Sequence, residues 1–317
     1  FTMADYSTYD AVGNREDLSD TIWNISPTAT PFLSSITRNT ATAVNHEWQT
    51  DALATPGNNA TVEGASAADT TITPTVRLGN LTQISSKVPS VSRTQRQIDS
   101  AGRSDEMTYQ IMKMGKELKN DIEFAVLANK IKVAGNGTNT ARQCAGIETF
   151  FATNVSLGAT GVAPTGDGTD VLQPGNSRVL TEALLKGVLA DIWDAGGDPD
   201  CIMAGSFNKQ AMSAFVGGGT SGPAQRTVDG SSKSVTTAID VYVSDFGSLQ
   251  VIPSRNMVQT SMLVLQTDMW CLAELSPIGT VDLAKTGDFD RKLLNVEYTL
   301  EAKNAKSSGI VAGLNAS

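Results

Sequence analysis

The residue of this chain best suited to chemistry is its one histidine, His46, in the run AVNHEWQTDA at 43–52. An imidazole titrates near neutral pH and is the commonest proton shuttle and metal ligand. As a shuttle it needs a nucleophile or an orienting carboxylate, and a zinc site needs about three protein ligands. His46 has no second histidine to work with and no cysteine in its own element. Its neighbour Glu47 is turned to the opposite face by strand alternation. The spacing favours a histidine that packs beside Val44 and Trp48, or titrates at a contact, over a catalytic one.

The other constellations are weaker. The glycine-rich run Gly217–Gly222 lacks the G-x-x-x-x-G-K-[ST] spacing of a phosphate loop and reads as a flexible connection. TGDGTD at 165–170 sets Asp167 and Asp170 among glycines, but has neither the residue order nor the bidentate glutamate of a calcium loop. Asp288 and Asp290 are an acidic pair in a turn with nothing beside them to define a sugar cleft. Cys144, Cys201 and Cys271 are odd in number and widely spaced, which argues against disulfides and a zinc knuckle and for reduced, buried thiols. Lys87, Arg93 and Arg96 with Arg103, and Lys303 with Lys306, form basic patches without stacking aromatics. They fit solvated faces or ion pairs between subunits better than base recognition. No catalytic residue, cofactor or metal is expected.

A net charge of -9 over 317 residues makes the surface as a whole a poor match for phosphate backbones, although a protein that only surrounds nucleic acid can be acidic. The 40% hydrophobic and 18% charged content is that of a folded soluble protein. No run approaches the roughly 20 apolar residues that cross a bilayer. The first residues lack a basic-then-apolar secretory pattern, so a cytosolic product is expected, and the N-x-[ST] triplets at Asn24, Asn59, Asn80, Asn136 and Asn154 read as composition. Sparse aromatics with abundant Gly, Thr, Ser and Asn favour strands and long loops over a helical bundle.

The elements that must position these residues follow from periodicity. NREDLSDTIWNISPTATPFLSSI gives a short helix carrying Leu18, Ile22 and Ile25, then an extended arm after Pro27 and Pro31. Val44, His46 and Trp48 alternate with Asn45, Glu47 and Gln49 as a strand. GNLTQISSKVPSV at 79–91 is a second extended run, and the polar, turn-rich stretch between them has almost nothing to bury. Together they predict a long two-stranded excursion needing support from outside itself, such as a neighbouring subunit. A long amphipathic helix is predicted from a Ser104 cap to about Ile131, roughly 40 Å. Its apolar stripe is Met107, Ile111, Met114, Leu118, Ile122 and Ala125; its solvent face is Lys113, Lys116, Lys119, Asp121 and Glu123. A second helix starts at a Thr181 cap and stops at Gly196 and Gly197. CIMAG then reads as a buried strand and SFNKQAMSAF as a helix capped by Ser206. AIDVYVSDFG, LQVIPS, SMLVLQTDMWCLAEL and RKLLNVEYTLEAKNA complete a mixed α+β chain.

That order resembles tailed-bacteriophage major capsid proteins of the Hong Kong 97 type. NREDLSDTIWNISPTATPFLSSI, HEWQTDAL, the EG at 63–64, KELKNDIEFAVL and TGDFDRKLLNVEYTLEAKN resemble the wording of one such major head protein family, in its order and over nearly the whole chain. The resemblance implies an N-terminal arm (1–38), an extended loop lying across an adjacent subunit (39–92), a peripheral domain with a long spine helix (93–180 and 281–317) and an axial domain (181–280). It implies a chain that assembles with itself as hexamers and pentamers into an icosahedral head. The head would enclose double-stranded DNA without sequence-specific binding, be made in the host bacterial cytoplasm and have no membrane. A cementing or decoration protein, a portal and a scaffold are further partners it suggests. His46, Trp48, Glu63, Lys87 and Arg93 become candidate contacts between subunits, without catalysis.

One departure stands out. The type member joins subunits by a lysine–asparagine isopeptide bond from its extended loop, whereas residues 52–76 here contain no lysine and Lys87 lies near the loop's base. A non-covalent shell is expected. Three other readings remain open on sequence alone: an encapsulin-like compartment of the same fold holding enzyme cargo, a secreted β-rich carbohydrate-binding or adhesive protein, and a conventional enzyme.

Overall fold

A computed structural model describes residues 28–66, 69–98, 102, 105–215 and 240–316. The helix expected around Leu18–Ile25, the Ser104 cap, Arg103 and Gly217–Gly222 lie outside these residues.

The chain enters at a short helix, α1 (Pro31–Ser35), and a strand, β1 (Thr37–Thr40). The excursion follows as β2 (Asn45–Thr50) and β3 (Val76–Leu81), an isolated antiparallel ribbon. Thr82 ends it, and the predicted second strand continues as separate pieces, β4 (Gln83–Lys87) and β5 (Ser90–Ser92), which pair with another sheet. After α2 (Arg93–Gln97) comes the long helix, α3 (Glu106–Leu127). Its cap is Asp105, whose carboxylate accepts from the Met107 and Thr108 N–H groups. The helix stops four residues short of expectation because Ala128 turns extended, leaving 22 residues, about 33 Å.

The second half is built around a six-stranded sheet in the order β6-β13-β10-β7-β9-β8. These strands are β6 (Val155–Ser156), β7 (Cys201–Ala204), β8 (Val241–Ser244), β9 (Gly247–Pro253), β10 (Met262–Leu265) and β13 (Gly309–Val311). β7 and β10 are apolar at every position because both faces are covered. Ile202, Ala204, Met262 and Val264 pack on helix α4 (Glu182–Asp194), while Cys201, Met203, Leu263 and Leu265 face the other core. Helix α4 ends as predicted: Gly196, at φ +85°, takes the left-handed conformation that closes a helix. Helix α5 (Ser206–Ser213) has Gly205, not Ser206, as its cap residue. AIDVYVSDFG is not one strand: it turns at Asp245–Phe246 between β8 and β9.

SMLVLQTDMWCLAEL likewise divides, at a 3-10 turn over Thr267–Met269, into β10 and the long β11 (Trp270–Asp282). β11 pairs antiparallel with β12 (Phe289–Ala302), and β1, β11, β12 and β4 form a second sheet, with β5 also on β12. Helix α3 lies along it. Leu118, Ile122 and Ala125 of its stripe are buried, with Ile111 and Met114 partly so, in the core built on Trp270, Tyr298, Phe150 and Phe151, and Met107 is buried at its first turn. The carboxylate of Glu123, assigned to the solvent face by periodicity, is fully buried. The last turns of α3 are enclosed on more than one side, as the buried Val126 and Leu127 show.

Candidate assembly interface

The ribbon β2–β3 has one face on the body and one toward solvent. On the inner face Trp48 enters the core, its ring 6.0 Å from that of Phe150. His46 Nε2 lies 3.1 Å from Glu301 Oε2 on β12, and Asn39 of β1 reaches the same oxygen at 3.5 Å. Opposite His46 in the ladder, the buried Asn80 donates to the carbonyls of Leu300 and Ala145 and accepts from the Ala145 N–H. It is sealed by backbone partners, a brace that its N-x-[ST] context gave no hint of. The Lys132 ammonium adds a link, donating to the carbonyls of Gly79 and Asp167. On the outer face Glu47 pairs with Arg77. The support expected from outside the excursion is thus supplied, for its base, by the chain's own body and not by a neighbouring subunit.

Beyond Thr50 the support ends. Every described residue from Asp51 to Thr75 is exposed, and Leu53 is 100% and Ile72 90% accessible. Glu63 sits at the tip of a turn closed by the Ala65 N–H on the Val62 carbonyl, with Gly64 at φ +81° in the position that requires glycine in a type II turn.

Behind the ribbon, charged residues join successive elements. Lys87 bridges to Asp121 at 2.9 Å and Glu117 at 3.1 Å, binding β4 to α3. Burial opposes its charge, but hydrogen bonds to Asp121 and Glu117 hold the ammonium pKa above the usual value. Arg93 faces Asp288 at 3.2 Å. Arg96 and Lys285 share Asp290, whose pKa is lowered first by Lys285 and then by Arg96. These cations of the sequence's basic patch thus have partners within the chain.

A third contact fixes the incoming segment. The Glu123 carboxylate on α3 accepts from the Leu33 N–H of α1 at 3.3 Å and from the Ser254 hydroxyl at 3.5 Å. Burial pushes its pKa up to about 7, against these donors and those of Asn256 and Phe32. One carboxylate so gathers α1, α3 and the segment after β9. Sequence reasoning missed it, and the available signal was its place inside the apolar run I-E-F-A-V-L.

The groups that could do chemistry are otherwise engaged. Asp167 and Asp170 accept from Thr165 and Thr169 within their own loop. The three cysteines are buried and free, and burial raises the Cys201 thiol to about 12. Among the described residues no cluster of three or more His, Cys, Asp or Glu could hold a metal ion, and no helix is long and apolar enough to cross a membrane.

Comparison with known proteins gives concordant matches. A family model described as SU10 major capsid protein matches residues 5–315. The major capsid protein of Escherichia phage Phieco32 is 26% identical over 346 residues, 96% of each chain. Among solved structures, the cyanophage A-1(L) capsid asymmetric unit has a TM-score of 0.66 at 14% identity, covering 97% of this chain and 98% of its own. A chain from Gordonia phage Cozz has a TM-score of 0.62 at 12% identity, covering 96% and 92% respectively.

Proposed function

The chain belongs to the SU10 major capsid protein family, and from that premise we propose how its surfaces build a phage head. It is an α+β capsid protein of the Hong Kong 97 type, a structural component of the virion that assembles with copies of itself.

The finer reading is hexamers and pentamers closing into a shell around double-stranded DNA. The observation that supports it is the stretch from Asp51 to Thr75, which exposes Leu53, Val62 and Ile72 with no body of its own to cover them. Apolar side chains held out on an anchored ribbon gain by lying across a sister copy. In this reading the ribbon base, with His46, Trp48 and Lys87, sets the angle at which the tip leaves, while Glu63 and the exposed Arg93 meet the neighbour. Residues 1–38 form the arm and 39–92 the extended loop. The peripheral domain, expected at 93–180 and 281–317, is read here as the β11–β12 sheet with its spine helix α3, so residues 270–280 of β11 pass to it from the axial stretch expected at 181–280, which keeps β7–β10 and α4. We place the crossing between these two at the Thr267–Met269 turn. The function is mechanical, with no catalytic step and no role for a cofactor. Cementing, portal and scaffold proteins are the partners such a shell uses.

Individually modest contacts suffice because a closed shell repeats each one many times. Negative-stain microscopy of the purified chain tests the reading: hollow polyhedral particles of one diameter are expected, and a monodisperse monomer at high concentration would sink it.

A further inference from the structure

Helix α3 carries a cationic face that the described residues leave unused. Lys113, Lys116 and Lys119 are exposed and make no ion pair or hydrogen bond among the described residues. Successive lysines fall about 60° apart around the axis and about 4.5 Å along it, so all three share one side. Three described carboxylates of α3 and the strand beside it are already paired elsewhere: Glu117 and Asp121 with Lys87, and Glu274 with Arg38 at 2.9 Å. Glu123 is turned into the core. In a chain of net charge -9, this face carries a local positive field.

Resting on the shell reading above, we propose that this face of α3 lines the lumen and meets the phosphate backbone of the packaged DNA. Unpaired ammonium groups on a rigid helix suit such a partner: each lysine exchanges a condensed counterion for a phosphate without reading bases. Three per subunit give a weak, salt-sensitive contact. Repeated over the shell, it lets DNA rest against the wall without gripping it, while the acidic remainder repels. Met112 and Phe124, exposed beside the lysines, are what a protein partner would use, so a sister copy is the competing occupant.

Lysine acylation with an N-hydroxysuccinimide ester, read by mass spectrometry on DNA-filled particles and on nucleic-acid-free particles of the same chain, decides between them. Severalfold slower modification of Lys113, Lys116 and Lys119 in filled particles only is the expected result. Equal, fast modification in both would place the face in open solvent and overturn the proposal. Protection in both would assign it to a subunit contact and overturn it too. Failure to obtain any closed particle would instead defeat the shell reading, and this inference with it.

Discussion

Glu123, and Glu148 buried in the 3-10 turn Ile147–Phe150, are carboxyls whose chemistry depends on their surroundings. Burial lifts each to about 7, against 4.5 for an unperturbed glutamate, so between those values the folded chain holds protons that the unfolded chain has released. Their stabilising contribution is full below about pH 4.5 and is lost as pH rises through about 7. Thermal unfolding of dispersed subunits should therefore show a falling midpoint from pH 5 to pH 8. Glu148→Gln, which mimics the protonated acid, should flatten that fall and match the native protein at pH 5. An unchanged slope would mean the group is not buried as described. Glu123→Ala leaves the Leu33 N–H without its acceptor in the core, a loss of about 1–3 kcal/mol. Limited proteolysis should then cut preferentially near α1, and intact resistance would show that the carboxylate does not hold this segment.

Among the elements, the ribbon β2–β3 divides into a held base and an unheld tip. The ladder runs from Asn45↔Leu81 to Thr50↔Val76, so an excision that respects it must end before β3. Replacing residues 53–74 with a short Gly-Ser linker should leave the far-ultraviolet spectrum and unfolding midpoint nearly unchanged, since the described residues among those excised are all exposed, while abolishing closed shells. Normal particles from this variant would remove the tip from assembly. Trp48→Ala acts on the base instead: it empties a buried aromatic site beside Phe150 and should cost about 3–5 kcal/mol in chemical denaturation. The two changes thus separate assembly from folding on one ribbon.

For the whole molecule, the absence of lysine from residues 52–76 predicts a shell without covalent cross-links through the extended loop. Boiled particles on a reducing denaturing gel should run as a single band at the mass of one chain, and a ladder of oligomers would contradict this. Membership of the capsid family also decides among the readings that composition left open, in favour of the virion over a cargo compartment or a secreted binding protein.

Element type was legible wherever one period governed one exposed face. The Met107–Ala125 stripe gave α3, the alternation around His46 gave β2, and the glycines after Asp194 gave the end of α4. Those signals are local because they need only a dry side and a wet side. Where a strand is covered on both sides the pattern goes silent, and SMLVLQTDMWCLAEL ran on through a turn that only the pairing of β10 and β11 with different sheets reveals. The tertiary structure likewise decided which polar groups are interior. Glu123, Asn80 and Glu301 meet partners 90, 65 and 255 residues away in sequence, and no window along the chain contains both members of such a pair.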